Sequence, residues 1–180
     1  MELVIENCEE ELSEWLWLEY RHAAEIWGRA IFTNARGMER LQEAGEVREE
    51  GFESICNPEG TLVLDPKAPL RLRPQDFDGI EYVVIGGILG YAEARGRTKE
   101  MITSKLPGAK VRNVGATQLP IDGAALVARL VAMGLELDEI EIADGLEIDL
   151  DGEVITLPYG YVVLEGKVVV TPGLIEYLTR

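Results

Sequence analysis

The clearest candidate for chemistry in this chain is a cluster of glycines at the end of a short apolar run. Residues 82–90 read Tyr-Val-Val-Ile-Gly-Gly-Ile-Leu-Gly, and Arg97 and Thr98 follow shortly after. The apolar run predicts a buried strand, and glycines at its carboxyl end let the backbone bend sharply and approach a ligand. Because ligands of open α/β sheets bind at the carboxyl ends of strands, we expect a small-molecule pocket here. A tight turn between two elements is the alternative, which a glycine cluster alone predicts about as well.

The spacing of these glycines differs from that of two common nucleotide-binding motifs. The dinucleotide fingerprint is G-x-G-x-x-G, whereas the order here is G-G-x-x-G. A phosphate loop would continue with lysine and then serine or threonine, and no such pair follows the cluster. The pattern therefore predicts a pocket without naming its ligand.

Histidine and cysteine offer little acid–base or metal chemistry in this chain. His22 is the one histidine, and it falls within a predicted helix without an obvious partner. Cys8 and Cys56 lack the spacing of a metal site, so we interpret both as reduced, buried thiols and expect no bound metal. Proton transfer is therefore expected to fall to a carboxylate.

Glu19 is the carboxylate in the most unusual position. A helix is predicted from an N-cap at Ser13 to a stop at Gly28, and Glu19 lies within its apolar stripe. A carboxylate on a core-facing stripe costs free energy unless it is paired or used in a site. We favour a structural ion pair and keep a site role as the alternative. The stripe consists of Leu12, Leu16, Tyr20, Ala23 and Trp27.

The composition is that of one folded domain. The chain has 180 residues, of which 47% are hydrophobic, so we expect a single core over residues 1–180. No apolar run approaches the ~20 residues of a membrane-spanning helix. The first residues also lack the basic start and apolar run of a signal peptide. These features predict a cytoplasmic protein without a membrane partner.

The charge is strongly negative and unevenly distributed. A formal net charge of −16 argues against generic nucleic-acid binding. Residues 136–153 contain nine acids and no base, whereas residues 95–112 contain six bases and one acid. A solvated helix face is the simplest interpretation of the basic segment, and we favour it for Lys99 and Lys105, whereas Arg97, which is closer to the glycine cluster, is a better site candidate.

Strand-like and helix-like segments alternate, which predicts an α/β fold with a mostly parallel sheet flanked by helices. Two hairpins are predicted near the C-terminus, with turns at Asp151-Gly152 and Glu165-Gly166, before a helix that starts at Pro172. Three loops, at 86–90, 112–118 and 157–160, would then meet at strand ends. The predicted strands are 3–5, 30–33, 61–65, 81–85 and 110–114, and the predicted helices are 13–28, 98–106 and 121–133.

Several motifs, taken in order, resemble those of one family. The chain is similar to the archaeal and eukaryotic SPOUT-class methyltransferases described as S-adenosylmethionine-dependent RNA methyltransferases. Eukaryotic members include a protein-arginine methyltransferase that acts on a ribosomal protein. The order and spacing of the motifs are more specific than any single one. They are Ile5-Glu6 with Glu10-Glu11, Ser13-x-Trp15, Leu18-Glu19-Tyr20, Gly86-Gly-Ile-Leu-Gly90, Arg97-Thr98, Arg112-Asn-Val-Gly115 with Gln118, and Leu157-Pro-Tyr159.

The resemblance implies an α/β fold with a C-terminal trefoil knot, a topology that is rare among proteins. It also implies that S-adenosylmethionine binds in a bent form, with Arg97 and Thr98 at its reacting end. Three segments would hold the cofactor. They are Gly86, Gly87, Ile88, Leu89 and Gly90, then Asn113, Val114, Gly115 and Gln118, then Leu157, Pro158 and Tyr159.

For methyl transfer, we expect Glu19 or Glu6 to orient or deprotonate the acceptor. Arg97 would position an acidic group of the substrate or the carboxylate of the cofactor. If the acceptor is arginine, its guanidinium pKa lies above about 12. Carboxylates would then serve orientation and charge more than early deprotonation.

The acceptor has two candidates at this point. A strongly acidic chain suits a basic protein substrate such as a ribosomal protein, which we favour, whereas the basic segment would suit structured RNA. The sequence departs from the family pattern at Tyr91, Gly96 and Gly160. Tyr91 and Gly160 motivate a third hypothesis, a non-catalytic module that binds an adenosine-like ligand or a partner protein. Either a monomer or a homodimer is compatible with the sequence.

Overall fold

A parallel sheet forms the centre of the computed structural model, which describes residues 1–89, 97–150 and 153–180. Within these ranges the sheet has the order β3-β2-β1-β5-β4-β6, and every neighbouring pair runs parallel. The predicted parallel α/β sheet is therefore confirmed. Its strands are β1 (Glu2–Asn7), β2 (Ala30–Thr33), β3 (Gly45–Val47), β4 (Thr61–Leu64), β5 (Tyr82–Gly87) and β6 (Lys110–Arg112).

The first helix forms where the sequence predicts it. The Ser13 hydroxyl accepts a hydrogen bond from the amide of Leu16 at 3.1 Å, and Gly28 ends the helix with φ of 87°. No helix in the described part of the chain is long and apolar enough to cross a membrane. The helices are α1 (Glu14–Trp27), α2 (Arg97–Met101), α3 (Ile121–Ala132) and α4 (Leu174–Leu178), with short 3₁₀ turns at Glu39–Glu43, Phe52–Ser54, Pro74–Phe77, Thr103–Lys105 and Leu137–Glu139.

The two faces of the sheet are covered differently because side chains alternate along each strand. Leu3 and Ile5 of β1 belong to the larger apolar cluster, which includes buried residues of α1 and α3. Val4, between them, belongs to a smaller cluster on the other face with Phe52 and Ile102. Full burial of such a side chain contributes about 1.5–3 kcal/mol. The fold therefore rests mainly on the face that packs against α1 and α3.

An antiparallel sheet follows α3. It consists of β7 (Ile142–Leu150), β8 (Glu153–Leu164) and β9 (Lys167–Val168), in the order β7-β8-β9. The turn between β8 and β9 has φ of 51° at Glu165 and 73° at Gly166, as the predicted hairpin requires. The predicted turn at Asp151-Gly152 lies outside the described residues.

Several predicted boundaries are wrong, and strand pairing explains two of them. The predicted loop at 157–160 is part of β8, since Leu157 pairs with Leu146 of β7. The glycine cluster is likewise partly strand, because Gly86 and Gly87 pair with the end of β1. The predicted helix 98–106 breaks after Met101 into a 3₁₀ turn. The last helix starts at Leu174 rather than at proline 172.

Candidate functional site

A cavity of about 240 Å³ lies at the carboxyl ends of β4 and β5. Its wall combines the loop after β4, the glycine segment, the start of α2 and the segment that leads into α3. Parallel strands bring such loops to one edge of the sheet, where α/β proteins bind ligands. The lining residues are Leu64, Asp65, Pro66, Lys67, Ile85, Gly86, Ile88, Leu89, Arg97, Thr98, Val114, Gly115, Ala116, Thr117, Gln118, Leu119, Pro120, Ile121 and Ala124.

Two of the three predicted segments meet at this cavity. From the first segment Gly86, Ile88 and Leu89 line it, and Arg97 and Thr98 stand beside them. From the second segment come Val114, Gly115 and Gln118. Their roles in binding stay predictions, and the predicted Gly90 lies outside the described residues.

Gly87 and Asn113 support the wall rather than line it. A Cβ added to Gly87 would lie 1.8 Å from the hydroxyl oxygen of Tyr20, so this position has no room for a side chain. The Asn113 side chain donates to the carbonyl of Ala68 at 2.8 Å and accepts from the amide of Gly115 at 3.1 Å. Gly87 therefore permits packing against α1, and Asn113 shapes the turn of the second segment.

The third predicted segment does not line the cavity. Leu157, Pro158 and Tyr159 lie within β8, where Leu157 pairs with Leu146 of β7, and none of the three is among the residues that line the cavity. Instead Gly160 makes the contact, since its amide donates to the carbonyl of Gln118 at 2.8 Å. A Cβ at Gly160 would lie 2.5 Å from a methyl carbon of Thr117. This departure from the family pattern is therefore a packing requirement in this chain.

The loop after β4 was missed by the sequence analysis. Asp65 and Lys67 line the cavity, and Asp65 is buried. Its carboxylate accepts from the hydroxyl of Thr103 at 2.7 Å and from the amide of Lys67 at 2.8 Å. The sequence indicated the strand before this loop. It gave no signal that β4 pairs with β5, and this pairing brings the loop to the cavity.

Glu19 is buried at the N-terminus of α3. Its carboxylate accepts from the indole of Trp15 at 2.6 Å and from the amide of Ile121 at 2.9 Å. Burial, reinforced by the charge of Asp122, raises the pKa of Glu19 to about 7. The favoured ion pair is wrong, because no cation of the described residues pairs with this carboxylate. Glu19 does not line the cavity itself, and its hydrogen bond to the amide of Ile121 connects it to the cavity wall.

Glu6 is separated from the cavity. Its side chain is fully buried, and its carboxylate accepts from the Thr33 hydroxyl at 2.6 Å and from the amide of Phe52 at 2.9 Å. Lys105 contacts its other oxygen at 3.4 Å. These contacts lie on the sheet face that carries the smaller apolar cluster. The structure therefore places Glu6 in a structural network and does not bring it to the residues that line the cavity.

Arg97 does line the cavity, and its guanidinium is held by the turn after β1. Nη1 donates to Glu9 at 3.2 Å, and Nη2 donates to the carbonyl of Cys8 at 3.3 Å. The same oxygen of Glu9 accepts from the amide of Leu89 at 3.0 Å. Glu9 was missed because nothing in its local sequence distinguishes it from the acids that follow it.

The one histidine and the two cysteines are not among the residues that line the cavity. His22 Nδ1 is 2.6 Å from a carboxylate oxygen of Asp122, and neither residue lines the cavity. Burial raises the pKa of Cys8 to about 12 and that of Cys56 to about 11. Both are therefore unreactive thiols at neutral pH. The described residues contain no group of three or more potential metal ligands.

Comparison with known proteins identifies the family. A family model described as "Protein arginine N-methyltransferase SFM1-like" matches residues 2–180. The chain belongs to this family of methyltransferases. A curated relative, protein arginine N-methyltransferase SFM1 of Saccharomyces cerevisiae, is 27% identical over 202 residues, with 100% of this chain and 95% of the relative covered.

Solved structures of yeast SFM1 share the fold over nearly the whole chain. The yeast arginine methyltransferase SFM1 complexed with SAH is 25% identical with a TM-score of 0.90, over 99% of this chain and 94% of the other. The structure of the same yeast enzyme complexed with SAM is 26% identical with a TM-score of 0.90, and the match covers 99% of this chain and 89% of the other. The dual specific Trm10 of Thermococcus kodakaraensis, 15% identical with a TM-score of 0.56, covers 77% of this chain and 96% of its own, a similarity of fold alone. This SFM1-like protein therefore has the SPOUT-class fold.

The cavity of this SFM1-like protein suits a ligand with a flat apolar part and a charged tail. Ile88, Leu89 and Val114 supply apolar surface. Gly115 has φ of 113° and no atom within 4 Å of an added Cβ, so the backbone is exposed to a ligand there. Arg97 supplies a cation for an anionic group.

Proposed function

We propose that this SFM1-like protein is an S-adenosylmethionine-dependent methyltransferase that modifies an arginine side chain of a ribosomal protein. Its residues 1–180 would act as one domain. The observation that carries the proposal is the similarity over 99% of the chain to the yeast arginine methyltransferase solved with SAH. The cavity at the sheet edge supports it, because its wall contains the two loops to which the cofactor was assigned.

The residues of the wall fit the parts of this cofactor. Ile88, Leu89 and Val114 offer apolar surface for the adenine, and the glycines allow close backbone contact. The Arg97 guanidinium suits the carboxylate at the amino-acid end. When bound, S-adenosylmethionine supplies the methyl group from a sulfonium, which a correctly aligned nucleophile can displace. The wall contributes by holding that alignment, which can supply several kcal/mol of the barrier reduction.

The two predicted catalytic carboxylates receive positioning roles in this proposal. Glu19 holds the first amide of α3, and Ile121, which carries that amide, lines the cavity. Glu6 links the end of β1 to Phe52 on the face of the sheet that carries the smaller apolar cluster. Glu19 therefore supports the cavity wall through Ile121, whereas Glu6 supports the sheet.

A basic protein is the substrate class that the charges favour. The chain has a formal net charge of −16, and the acids between residues 136 and 149 are exposed. An acidic surface attracts lysine- and arginine-rich segments and repels nucleic acid. Ribosomal proteins are rich in such segments, which is the reason for this choice of substrate.

Structured RNA is the weaker candidate because the basic segment is largely paired inside the protein. Arg97 and Lys105 contact glutamates at 3.2 and 3.4 Å. Arg112 contacts the carboxylate of Asp76 at 2.7 Å, and Lys110 donates to the carbonyl of the same residue at 2.6 Å. Four of the five described bases of this segment therefore have partners within the protein, and RNA methylation is kept as an outcome of the test.

The test incubates the protein with radiolabelled S-adenosylmethionine and either a ribosomal-protein fraction or ribosomal RNA, followed by mass spectrometry of labelled products. We expect methylarginine in a ribosomal protein. Ala116→Trp should abolish labelling, because Ala116 is exposed in the cavity wall and an indole would fill the cavity. Met133→Trp is the matched control, since Met133 is 68% exposed and does not line the cavity.

The outcomes separate the hypotheses. Label in RNA alone would refute the protein substrate and support the RNA methyltransferase. Cofactor binding without transfer to either fraction would support a non-catalytic module. Equal labelling by both tryptophan variants would contradict the assignment of the cofactor to this cavity.

A further inference from the structure

Glu9 holds two parts of the cavity wall with a single oxygen atom. Its Oε1 accepts from the amide of Leu89 at 3.0 Å and from Nη1 of Arg97 at 3.2 Å. Leu89 and Arg97 both line the cavity. Glu9 stands behind them, with 20% of its side chain exposed. It therefore joins the glycine segment to the first residue of α2 from outside the cavity.

The turn that carries Glu9 is itself anchored in the core. The amide nitrogen of the Asn7 side chain donates to the carbonyl of Glu9 at 2.8 Å. The side-chain oxygen of Asn7 accepts from the hydroxyl of Tyr20 at 2.9 Å. Asn7 and Tyr20 are both buried, Tyr20 completely. A chain of hydrogen bonds therefore runs from α1 through Asn7 to the backbone of Glu9.

The same turn contacts the guanidinium of Arg97 a second time. Nη2 of Arg97 donates to the carbonyl of Cys8 at 3.3 Å, and the amide of Cys8 donates to the carbonyl of Gly87 at 3.1 Å. The two terminal nitrogens of the Arg97 guanidinium therefore donate to the adjacent residues Glu9 and Cys8. A free arginine side chain samples many rotamers, and this turn selects one of them before any ligand binds.

We propose that Glu9 is a positioning residue of the methyl-transfer site, which sets the Arg97 guanidinium in the cavity wall for the carboxylate of the cofactor. The inference rests on the proposed function, because it needs a ligand with an anionic end in this cavity. Glu9 acts through Arg97 and makes no contact with the ligand itself. Preorganisation of this kind raises affinity by lowering the ordering cost of binding.

The test measures the dissociation constant of S-adenosylhomocysteine by calorimetry for the intact protein and its variants. Glu9→Ala should weaken binding about tenfold, the loss typical of a hydrogen bond to a charged group. Glu9→Gln should weaken it about threefold or less, since the amide oxygen can still accept from both donors. Glu9→Asp keeps the charge but is too short to reach both donors, so its loss should approach that of alanine. Glu10→Ala, at the adjacent exposed acid, is the matched control and should bind like the wild type.

A double-mutant cycle tests whether Glu9 acts through Arg97. Arg97→Met alone should weaken binding, and the double variant with Glu9→Ala should lose less than the product of the two single factors. In turnover, Glu9→Ala should raise the KM for S-adenosylmethionine by the factor seen in binding while kcat changes less than twofold.

Three results would overturn the inference. They are unchanged affinity in Glu9→Ala and Glu9→Asp, factors that multiply in the double variant, or a loss in Glu9→Gln as large as that in Glu9→Ala. The last result would mean that charge rather than hydrogen bonding is responsible. Failure of the wild type itself to bind either S-adenosyl ligand would instead refute the proposed function, so the two failures are distinguishable.

Discussion

The two adjacent glycines at the end of β5 have different surroundings. A Cβ added to Gly87 would lie 1.8 Å from the Tyr20 hydroxyl and 2.6 Å from its ring, both parts of a fully buried side chain. A Cβ added to Gly86 would meet the end of the Ile102 side chain at 2.9 Å, where a flexible methyl can move. Gly87 therefore serves packing against α1, whereas Gly86 lies at the cavity and tolerates a small change.

Gly87→Ala is expected to destabilise the protein by about 3 kcal/mol, because an overpacked core must shift its backbone. Gly86→Ala, the matched control in the same strand, should cost about 1 kcal/mol, since only side-chain ends must move. Urea unfolding followed by tryptophan fluorescence measures both free energies. Equal losses in the two variants would contradict this account of Gly87.

At the scale of elements, Glu19 couples α1 to α3. The first amide of α3 finds no side-chain acceptor at its own N-cap, which is Pro120. Glu19 supplies that acceptor from α1, at 2.9 Å. None of the described cations pairs with this buried carboxylate, and burial together with the charge of Asp122 raises its pKa to about 7. The docking of two helices against the cavity wall thus depends on a group that titrates near neutral pH.

The stability of the protein should fall between about pH 4.5 and pH 7 through Glu19. Its pKa rises from 4.5 to about 7 on folding, so the folded state binds the proton more tightly than the unfolded state over this interval. The stabilisation is complete below pH 4.5 and is lost as the pH rises through 7. Glu19→Gln should flatten this slope, as measured by melting temperature across pH 4.5–8 in steps of about half a unit.

Glu25→Gln is the control for that experiment, because Glu25 lies on the same helix with 58% of its side chain exposed. This variant should keep the slope of the wild type. A slope in Glu19→Gln equal to that of the wild type would show that the carboxyl does not titrate with folding in this interval.

At the scale of the whole molecule, the exposed acids of residues 136–149 and the residues that line the cavity are two different sets of residues. The cavity lies at the edge of the parallel sheet and its wall carries the cations Arg97 and Lys67. The exposed acids of residues 136–149 follow α3 and continue into β7. We therefore expect different groups to attract a basic substrate at long range and to bind the cofactor at close range.

This separation predicts different salt dependence for the two substrates. Interactions between exposed charges are screened beyond about 8 Å at 0.15 M ionic strength, and they extend over longer distances at lower salt. The KM for a lysine- and arginine-rich acceptor peptide should therefore rise about threefold or more between 50 and 500 mM salt. The KM for S-adenosylmethionine should change about twofold at most, because Arg97 is only 28% exposed. Steady-state kinetics at four salt concentrations measures both, and equal dependence would contradict the separation.

The predictions that depend on local patterns were confirmed where the pattern is long. The stripe of α1, its Ser13 cap and its Gly28 stop all formed, because periodicity over 14 residues and two end signals agree. The central strands also formed. The prediction of a loop at 157–160 was wrong. Proline and glycine indicate a turn locally, but pairing with β7 keeps the segment in a strand. Pairing is a contact between distant residues and leaves no local signal.

The sequence by itself determined the parallel α/β class, the family, and the two glycine-containing segments at the cavity. These follow from apolar periodicity, from glycine at strand ends and from the order of motifs, and all three are properties of nearby residues. The trefoil knot stays a prediction of the resemblance.

Only the tertiary structure decided which residues face the cavity. It placed Asp65 and Lys67 in the wall, because β4 neighbours β5 in the sheet. In the folded chain, Glu6 and Glu19 accept hydrogen bonds from backbone amides outside the catalytic roles predicted for them, and Glu9 lies behind Arg97 and contacts its guanidinium. The physical reason is that a hydrogen bond depends on separation in space. Residues 9 and 97, far apart in the chain, become partners only when β1 and β5 lie side by side.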